Sequence, residues 1–209
     1  MTTMSVKFMD KLHELLEIMK EHQKLDRLVQ GVWLINEEVE GAYRGCFFGC
    51  AMQTPNNAIG KACAKYGLPL WIGHWSEFVF EGLKSEDAVK WPVQLLEALI
   101  NFKGDTEKLR HDLAIKRLTD LLPTENQVVN SAIELVINDH KNPDEEGQRS
   151  AKSAAAADAA ADSDAAAWSA ALAARSAADV ADADAYAAAM SAAWSRERDW
   201  MLELLREES

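Results

Sequence analysis

The segment Glu40-Gly-Ala-Tyr-Arg-Gly-Cys-Phe-Phe-Gly-Cys50 carries three glycines at four-residue spacing, Gly41, Gly45 and Gly49. Residues at positions i, i+4 and i+8 lie on one face of an α-helix, so this spacing predicts a helix with one stripe free of side chains. Glycine in a helix interior costs about 1 kcal/mol relative to alanine. Three such glycines therefore indicate that another element, or a ligand, approaches the stripe more closely than a methyl group would allow.

The last sixty residues offer a candidate for the approaching element. Residues 150–209 contain 25 alanines and neither glycine nor proline, and alanine has the highest helix propensity of all residues. At about 100° per residue, one face of such a helix carries several large side chains, namely Trp168, Leu172, Tyr186 and Met190. We therefore expect a long alanine-rich C-terminal helix, or a helical hairpin broken at residues 162–164, packed on the rest of the chain.

The remainder of the chain shows helical periodicity. Alternating apolar residues bounded by hairpin turns do not persist anywhere, so strands are not expected. Caps and periodicity predict helices over residues 5–22, 57–66, 69–81, 91–100, 106–122 and 124–139, with a short helix opening at Ser85. Gly67 and Gly82 are the expected helix terminators. The prediction is an all-α fold with a helical bundle head (residues 1–142), a linker (143–149) and an alanine-rich helical tail (150–209).

Composition restricts the environment and the partners. The chain has 209 residues, a formal net charge of −12 and three cysteines. The negative field repels duplex nucleic acid, and an odd number of cysteines argues against a disulfide framework. No apolar run approaches the roughly eighteen residues of a membrane-spanning helix, and the N-terminus lacks a signal-peptide apolar region. We expect a cytoplasmic protein without a membrane or duplex nucleic-acid partner.

Two features predict a site for a small anionic, nucleotide-like ligand. Arg44 lies beside the glycine stripe, where a guanidinium can contact an anion through two hydrogen bonds. Residues 70–81 concentrate aromatic side chains around a histidine and a carboxylate, which could stack on a planar ligand and bind its edge. Core packing and surface solvation are the competing explanations. The residues predicted to bind this ligand are Tyr43, Arg44, His74, Trp75, Glu77 and Arg175.

Metal binding and catalysis are not expected. Cys46 and Cys50 are four residues apart inside a predicted helix, and Cys63 and His74 follow at a spacing that structural zinc sites do not use. The three cysteines are therefore expected to be free thiols that pack as small hydrophobic side chains. No phosphate-binding glycine loop, HExxH motif, GxSxG motif or pair of catalytic carboxylates is apparent. The sequence thus predicts a protein that is not an enzyme and has neither metal nor cofactor.

At Tyr43-Arg-Gly-Cys-Phe-Phe-Gly-Cys50, followed by Leu68-Pro69, Phe80-Glu-Gly-Leu83, Trp91-Pro92 and the alanine-rich tail, the chain resembles a family of small bacteriophage and prophage proteins. The resemblance supplies no catalytic or binding residue to transfer. It implies an accessory protein that binds and neutralises a component of the host bacterium. Two functions stay open: sequestration of a nucleotide-derived defence signal, and inhibition or assembly of a host protein through the tail. The tail could also pair two subunits into a homo-oligomer.

Overall fold

The structure, a computed structural model, describes residues 6–36, 43–54, 56–123, 127–142 and 183–209. Most of these residues are helical, which confirms the predicted all-α class. The helices are α1 (Val6–Lys24), α2 (Phe47–Met52), α3 (Ala58–Tyr66), α4 (Leu70–Gly82), α5 (Ser85–Ala88), α6 (Trp91–Asn101), α7 (Thr106–Asp120), α8 (Gln127–Lys141) and α9 (Ala183–Glu207). Two strands of two residues each, β1 (Ile35–Asn36) and β2 (Tyr43–Arg44), pair antiparallel.

Helix boundaries follow the capping residues that the sequence offers. Helix α3 begins after Asn57 and ends at Gly67, whose left-handed backbone (φ 78°) lets its N–H donate to the Cys63 carbonyl. Helix α4 begins directly after Pro69, one residue later than predicted, with Pro69 at its N-cap position. Gly82 is the last residue of α4, so the helix ends where it was predicted to end, although Leu83 occupies the C-cap position with an extended backbone (φ −71°, ψ 162°). A Cβ at Gly82 would meet the Trp194 ring of α9, so this glycine serves helix packing.

Within the described residues, the prediction of one glycine-striped helix through residues 41–50 is wrong at residues 43–46 and holds only from Phe47 onwards. Gly45 lies between β2 and α2 and forms an isolated bridge with Leu28, so the chain is extended there and α2 starts only at Phe47. The Gly45 N–H donates to the Arg27 carbonyl at 2.9 Å, and the Val29 N–H donates to the Gly45 carbonyl at 2.8 Å. These non-local hydrogen bonds outweigh a helix that glycine already disfavours. The expectation that strands are absent is likewise wrong for this short region. Gly41 lies outside the described residues.

A close backbone approach does occur at two of the glycines, but the neighbour is local. A Cβ at Gly45 or at Gly49 would meet the carbonyl oxygen of Trp33. The Cys46 N–H donates to the Val32 carbonyl at 2.9 Å and holds the two segments together. The element that packs against these glycines is therefore the extended segment that precedes β1.

The described end of the alanine-rich tail packs on other helices, as predicted. Helix α9 places four apolar side chains in the core, Met201, Leu202, Leu204 and Leu205. The Lys103 N–H donates to the Glu208 carbonyl at 2.9 Å and ties the end of α9 to the residues after α6. The core that α9 joins contains Leu12 and Leu15 of α1, Phe47 and Phe48 of α2, Tyr66 of α3, Phe80 of α4 and Trp91 of α6.

The chain divides into two compact units. One unit holds Met1–Thr106 together with Ser191–Ser209, and the other holds Glu107–Met190. In the second unit, Leu109, Leu113 and Leu118 of α7 and Ile137 of α8 are buried. The predicted linker (143–149) and the predicted break in the tail (162–164) lie outside the described residues. The boundaries of the predicted head and tail therefore stay predictions.

Candidate functional site

Helix α4 does not bring its three predicted ligand-binding residues together. His74 is exposed, whereas Trp75 and Glu77 are buried. The Trp75 indole N–H donates to Glu197 of α9 at 3.3 Å, and its ring packs edge to face on Trp91 with 5.4 Å between centroids. The Trp75 ring is thus part of the core, and His74 faces solvent on another side of the helix.

The predicted residues of β2 have partners of their own. The Arg44 guanidinium lies 3.5 Å from the Asp26 carboxylate, and both side chains are substantially exposed. The Tyr43 hydroxyl lies 3.3 Å from Nε2 of His22, and the Arg27 guanidinium lies 5.1 Å from the centre of the Tyr43 ring. Arg175 lies outside the described residues.

His22 is a buried titratable group that the sequence analysis did not consider. Its side chain is 3% exposed, and its Nδ1 atom has no hydrogen-bond partner among the described residues. Burial lowers the pKa of His22 below its ordinary value, and the nearby Arg27 charge lowers it further. Burial also raises the pKa of the neighbouring Tyr43 hydroxyl. This contact between α1 and β2 is therefore built from uncharged rings.

A second polar group, the thiol–carboxylate cluster, is formed by Cys46, Glu77 and Glu81. The Cys46 sulfur and one carboxylate oxygen from each glutamate all lie within 4.8 Å of one another. Glu77 and Glu81 are one turn apart on α4 and so share a face. Cys46 is the residue that caps the N-terminus of α2. Cys46 and Glu77 are buried, and Glu81 reaches solvent, so the cluster extends from the interior to the surface.

Backbone N–H groups orient every member of the thiol–carboxylate cluster. The Phe48 N–H donates to Glu77 at 3.4 Å, and the Gly31 N–H donates to Glu81 at 2.6 Å. The Gly49 N–H donates to the Cys46 sulfur at 3.4 Å. These donors come from α2 and from the turn before β1, so backbone positions hold the three side chains in place.

Burial determines the electrostatics of the cluster. It raises the pKa of Glu77 to about 7, and the nearby Glu81 adds to this effect, while hydrogen bonds from Cys46 and Phe48 oppose it. Burial, together with the Glu77 charge, raises the pKa of the Cys46 thiol well above its ordinary value. Burial also raises the pKa of Cys50, to about 11, and that of Cys63. All three cysteines are free and buried, as the sequence predicted.

Sequence analysis missed the thiol–carboxylate cluster as a unit. The sequence predicts that Glu77 binds a ligand and that Cys46 is a packing residue, and it assigns no role to Glu81. The i, i+4 spacing of the two glutamates was a visible signal for paired carboxylates. The third member could not be inferred, because the contact between α2 and α4 is non-local.

Comparisons of this chain with protein-family models, with curated proteins and with solved structures found no match.

Proposed function

We propose that this protein is a non-catalytic binding protein that docks helix α4 onto a partner protein in the host cytoplasm. One observation carries the proposal. Leu70 and Phe78 are 55% and 62% exposed, although they are large apolar side chains on a helix whose opposite face packs into the core. They lie two turns apart on one face, with the exposed His74 between them. We call these three residues the α4 stripe.

The α4 stripe has the pattern of a helix that lies in a groove of its partner. Apolar anchors one or two turns apart enter an apolar groove, and polar neighbours set the orientation. Because the chain carries a net charge of −12, complementary charges favour a groove with a basic rim. The occupant of this surface is thus a host protein with a basic-rimmed apolar groove. The sequence-based alternative of a protein inhibitor or assembly module placed the contact on the alanine-rich tail, whereas this proposal places it on α4.

Sequestration of a small anionic nucleotide is the competing proposal, and the geometry supports it less. Trp75 and Glu77 already bond to other residues of the chain, and Arg44 already pairs with Asp26. A nucleotide bound by these side chains would have to break those interactions. Catalysis through a thiolate is disfavoured as well, because burial raises the pKa of each cysteine.

Site-specific crosslinking tests the docking proposal. A photoreactive phenylalanine analogue is placed at position 78 of the full chain, with a matched probe at Leu135, which is 68% exposed on α8. Crosslinked host protein at position 78 but not at position 135 is the expected result. The captured partner is then purified and its affinity for the wild type is measured by calorimetry.

The double variant Leu70→Ser/Phe78→Ser should lower that affinity by roughly 100-fold or more, as expected for two anchor residues. The control variant Leu135→Ser should leave it unchanged. Equal affinity of wild type and double variant would refute the role of the α4 stripe.

Calorimetric titration of the protein with cyclic nucleotides and ADP-ribose derivatives tests the competing proposal, sequestration of a nucleotide. If the wild type binds such a ligand and Arg44→Ala does not, nucleotide sequestration is favoured over docking to a protein.

A further inference from the structure

We propose that Cys46, Glu77 and Glu81 form a binding site for one divalent transition-metal ion, and that Zn²⁺ fits this set of ligands. The proposal rests on the thiol–carboxylate cluster and does not depend on the docking surface, because the anchors Leu70 and Phe78 are not members of the cluster.

The geometry of the cluster suits a single ion. Zn²⁺ binds sulfur at about 2.3 Å and carboxylate oxygen at about 2.0–2.2 Å, so two ligands of a tetrahedral ion lie about 3.5 Å apart. The three ligand atoms lie within 4.8 Å of one another, and small side-chain rotations would bring them to that spacing. Glu81 reaches solvent, which provides an entry path and an open coordination position for water.

The choice of ion follows from the ligand types. Mg²⁺ and Ca²⁺ prefer sites made of oxygen atoms alone. A thiolate combined with two carboxylates suits Zn²⁺, which accepts sulfur and oxygen in the same site. Three acidic groups that converge in a partly buried place repel one another once they are ionised, and a divalent cation replaces that repulsion with coordination.

The surroundings also resemble those of a metal site. Ligand side chains in such sites are held by further hydrogen bonds that fix their orientation. Here the N–H groups of Gly31, Phe48 and Gly49 donate to Glu81, Glu77 and Cys46 respectively. A Cβ at Gly49 would lie 3.2 Å from the Cys46 sulfur and would also meet the Trp33 carbonyl. The glycine therefore makes room for the sulfur beside the backbone.

Coordination would join two segments of the chain that are far apart in the sequence. The ion would connect α4, through both glutamates, to the residue that precedes α2, and the Cys46 thiol would release its proton to solvent on binding. Since the unfolded chain does not hold these ligands together, bound metal would stabilise the folded state.

Metal binding by the untagged full-length protein tests the proposal. The protein is stripped with a chelator and titrated with Zn²⁺ against a chromophoric competitor, and separately with Co²⁺, whose bond to a thiolate produces a charge-transfer absorption band. We expect one ion per chain, a thiolate band with Co²⁺, and a higher Tm with Zn²⁺.

Glu81→Gln removes an exposed ligand and should lower Zn²⁺ affinity at least about 10-fold. Loss of a residue that only hydrogen-bonds to a metal ligand already lowers metal affinity by about that factor. Cys46→Ser should abolish the cobalt–thiolate band.

Matched variants locate the ion. Cys63→Ser removes a buried thiol outside the cluster and should change neither affinity nor spectrum. His111→Gln removes one of two histidines whose Nδ1 atoms lie 2.8 Å apart between α7 and α8; loss of binding in that variant alone would overturn the proposal. If neither Zn²⁺ nor Co²⁺ binds in the micromolar range, the proposal is also overturned.

Circular dichroism checks that each variant folds. If Cys46→Ser does not fold, the Zn²⁺ affinity of Glu81→Gln decides whether the cluster binds the ion. Phe78→Ser should leave metal binding intact, which separates this outcome from that of the docking proposal.

Discussion

At the scale of single residues, Gly49 determines how closely two backbone segments approach. Its missing side chain admits the Trp33 carbonyl to the first turn of α2. The neighbour is backbone, which cannot rotate away as the end of a flexible side chain would. A single methyl group here therefore forces a backbone shift, and the nearby thiol–carboxylate cluster would be displaced with it.

We predict that Gly49→Ala lowers the free energy of unfolding by about 1–3 kcal/mol through overpacking. Gly60→Ala in α3 is the matched control, because the atoms that its Cβ would meet belong to the exposed Asn57 side chain, which can move. The control should be neutral or stabilising by up to about 1 kcal/mol, since alanine is the better helix former. Urea denaturation of both variants measures the difference. Equal stabilities would remove the close approach as the explanation for Gly49.

His22 predicts a pH dependence of stability. Burial and Arg27 lower its pKa in the folded protein, so the unfolded chain takes up a proton at a higher pH than the folded one. The stability contributed by neutral His22 is complete above the unfolded pKa of about 6.5 and is lost as the pH falls towards the folded pKa.

Denaturation at about pH 8 and about pH 5.5, for wild type and His22→Gln, measures this contribution. Glu77 acts in the opposite direction, because its pKa is raised to about 7 in the fold and acidification favours the folded form. Both proteins contain Glu77, so the difference between them reports His22. The wild type should lose more stability on acidification than the variant. A parallel loss in both proteins would show that His22 is not the responsible group.

At the scale of elements, α4 divides between the core and one shared outer side. Ile72, Val79 and Phe80 lie in the core. Thirteen residues make more than three turns of helix, and the spacing of Leu70, Glu77 and Glu81 places them close together around the helix, with Phe78 beside them. The exposed apolar anchors and the glutamates of the thiol–carboxylate cluster therefore occupy adjoining positions on α4.

Helix α9 contributes buried apolar side chains to the core of the first unit. Leu205 is fully buried, whereas Arg206, the next residue on the same helix, is exposed. We predict that Leu205→Ala lowers the free energy of unfolding by about 2–5 kcal/mol, because it leaves a cavity in the core. Arg206→Ala should change it by no more than about 0.5 kcal/mol. Thermal denaturation followed by circular dichroism compares the two. Similar effects would mean that α9 does not contribute to the core as described.

At the scale of the whole molecule, the net charge of −12 governs long-range association. None of the helices in the described residues is both long and apolar enough to cross a membrane. We predict no mobility shift of duplex DNA by the full chain, either at about 50 mM or at about 150 mM salt, because phosphate and protein repel each other. A shift at low salt that disappears at high salt would contradict this and would indicate a local basic surface.

The helical class and most helix boundaries could be predicted from the sequence, because they depend on neighbouring residues. Gly67 ends α3, Pro69 precedes α4, and Trp91-Pro92 opens α6 through local backbone geometry and capping. Tertiary packing alone pairs Gly45 with Leu28 in an extended segment and brings Cys46 to Glu77 and Glu81. It also decided which face of α4 stays exposed. Those outcomes depend on contacts between residues far apart in the chain, where backbone hydrogen bonds and burial outweigh the local periodicity from which the glycine-striped helix was predicted.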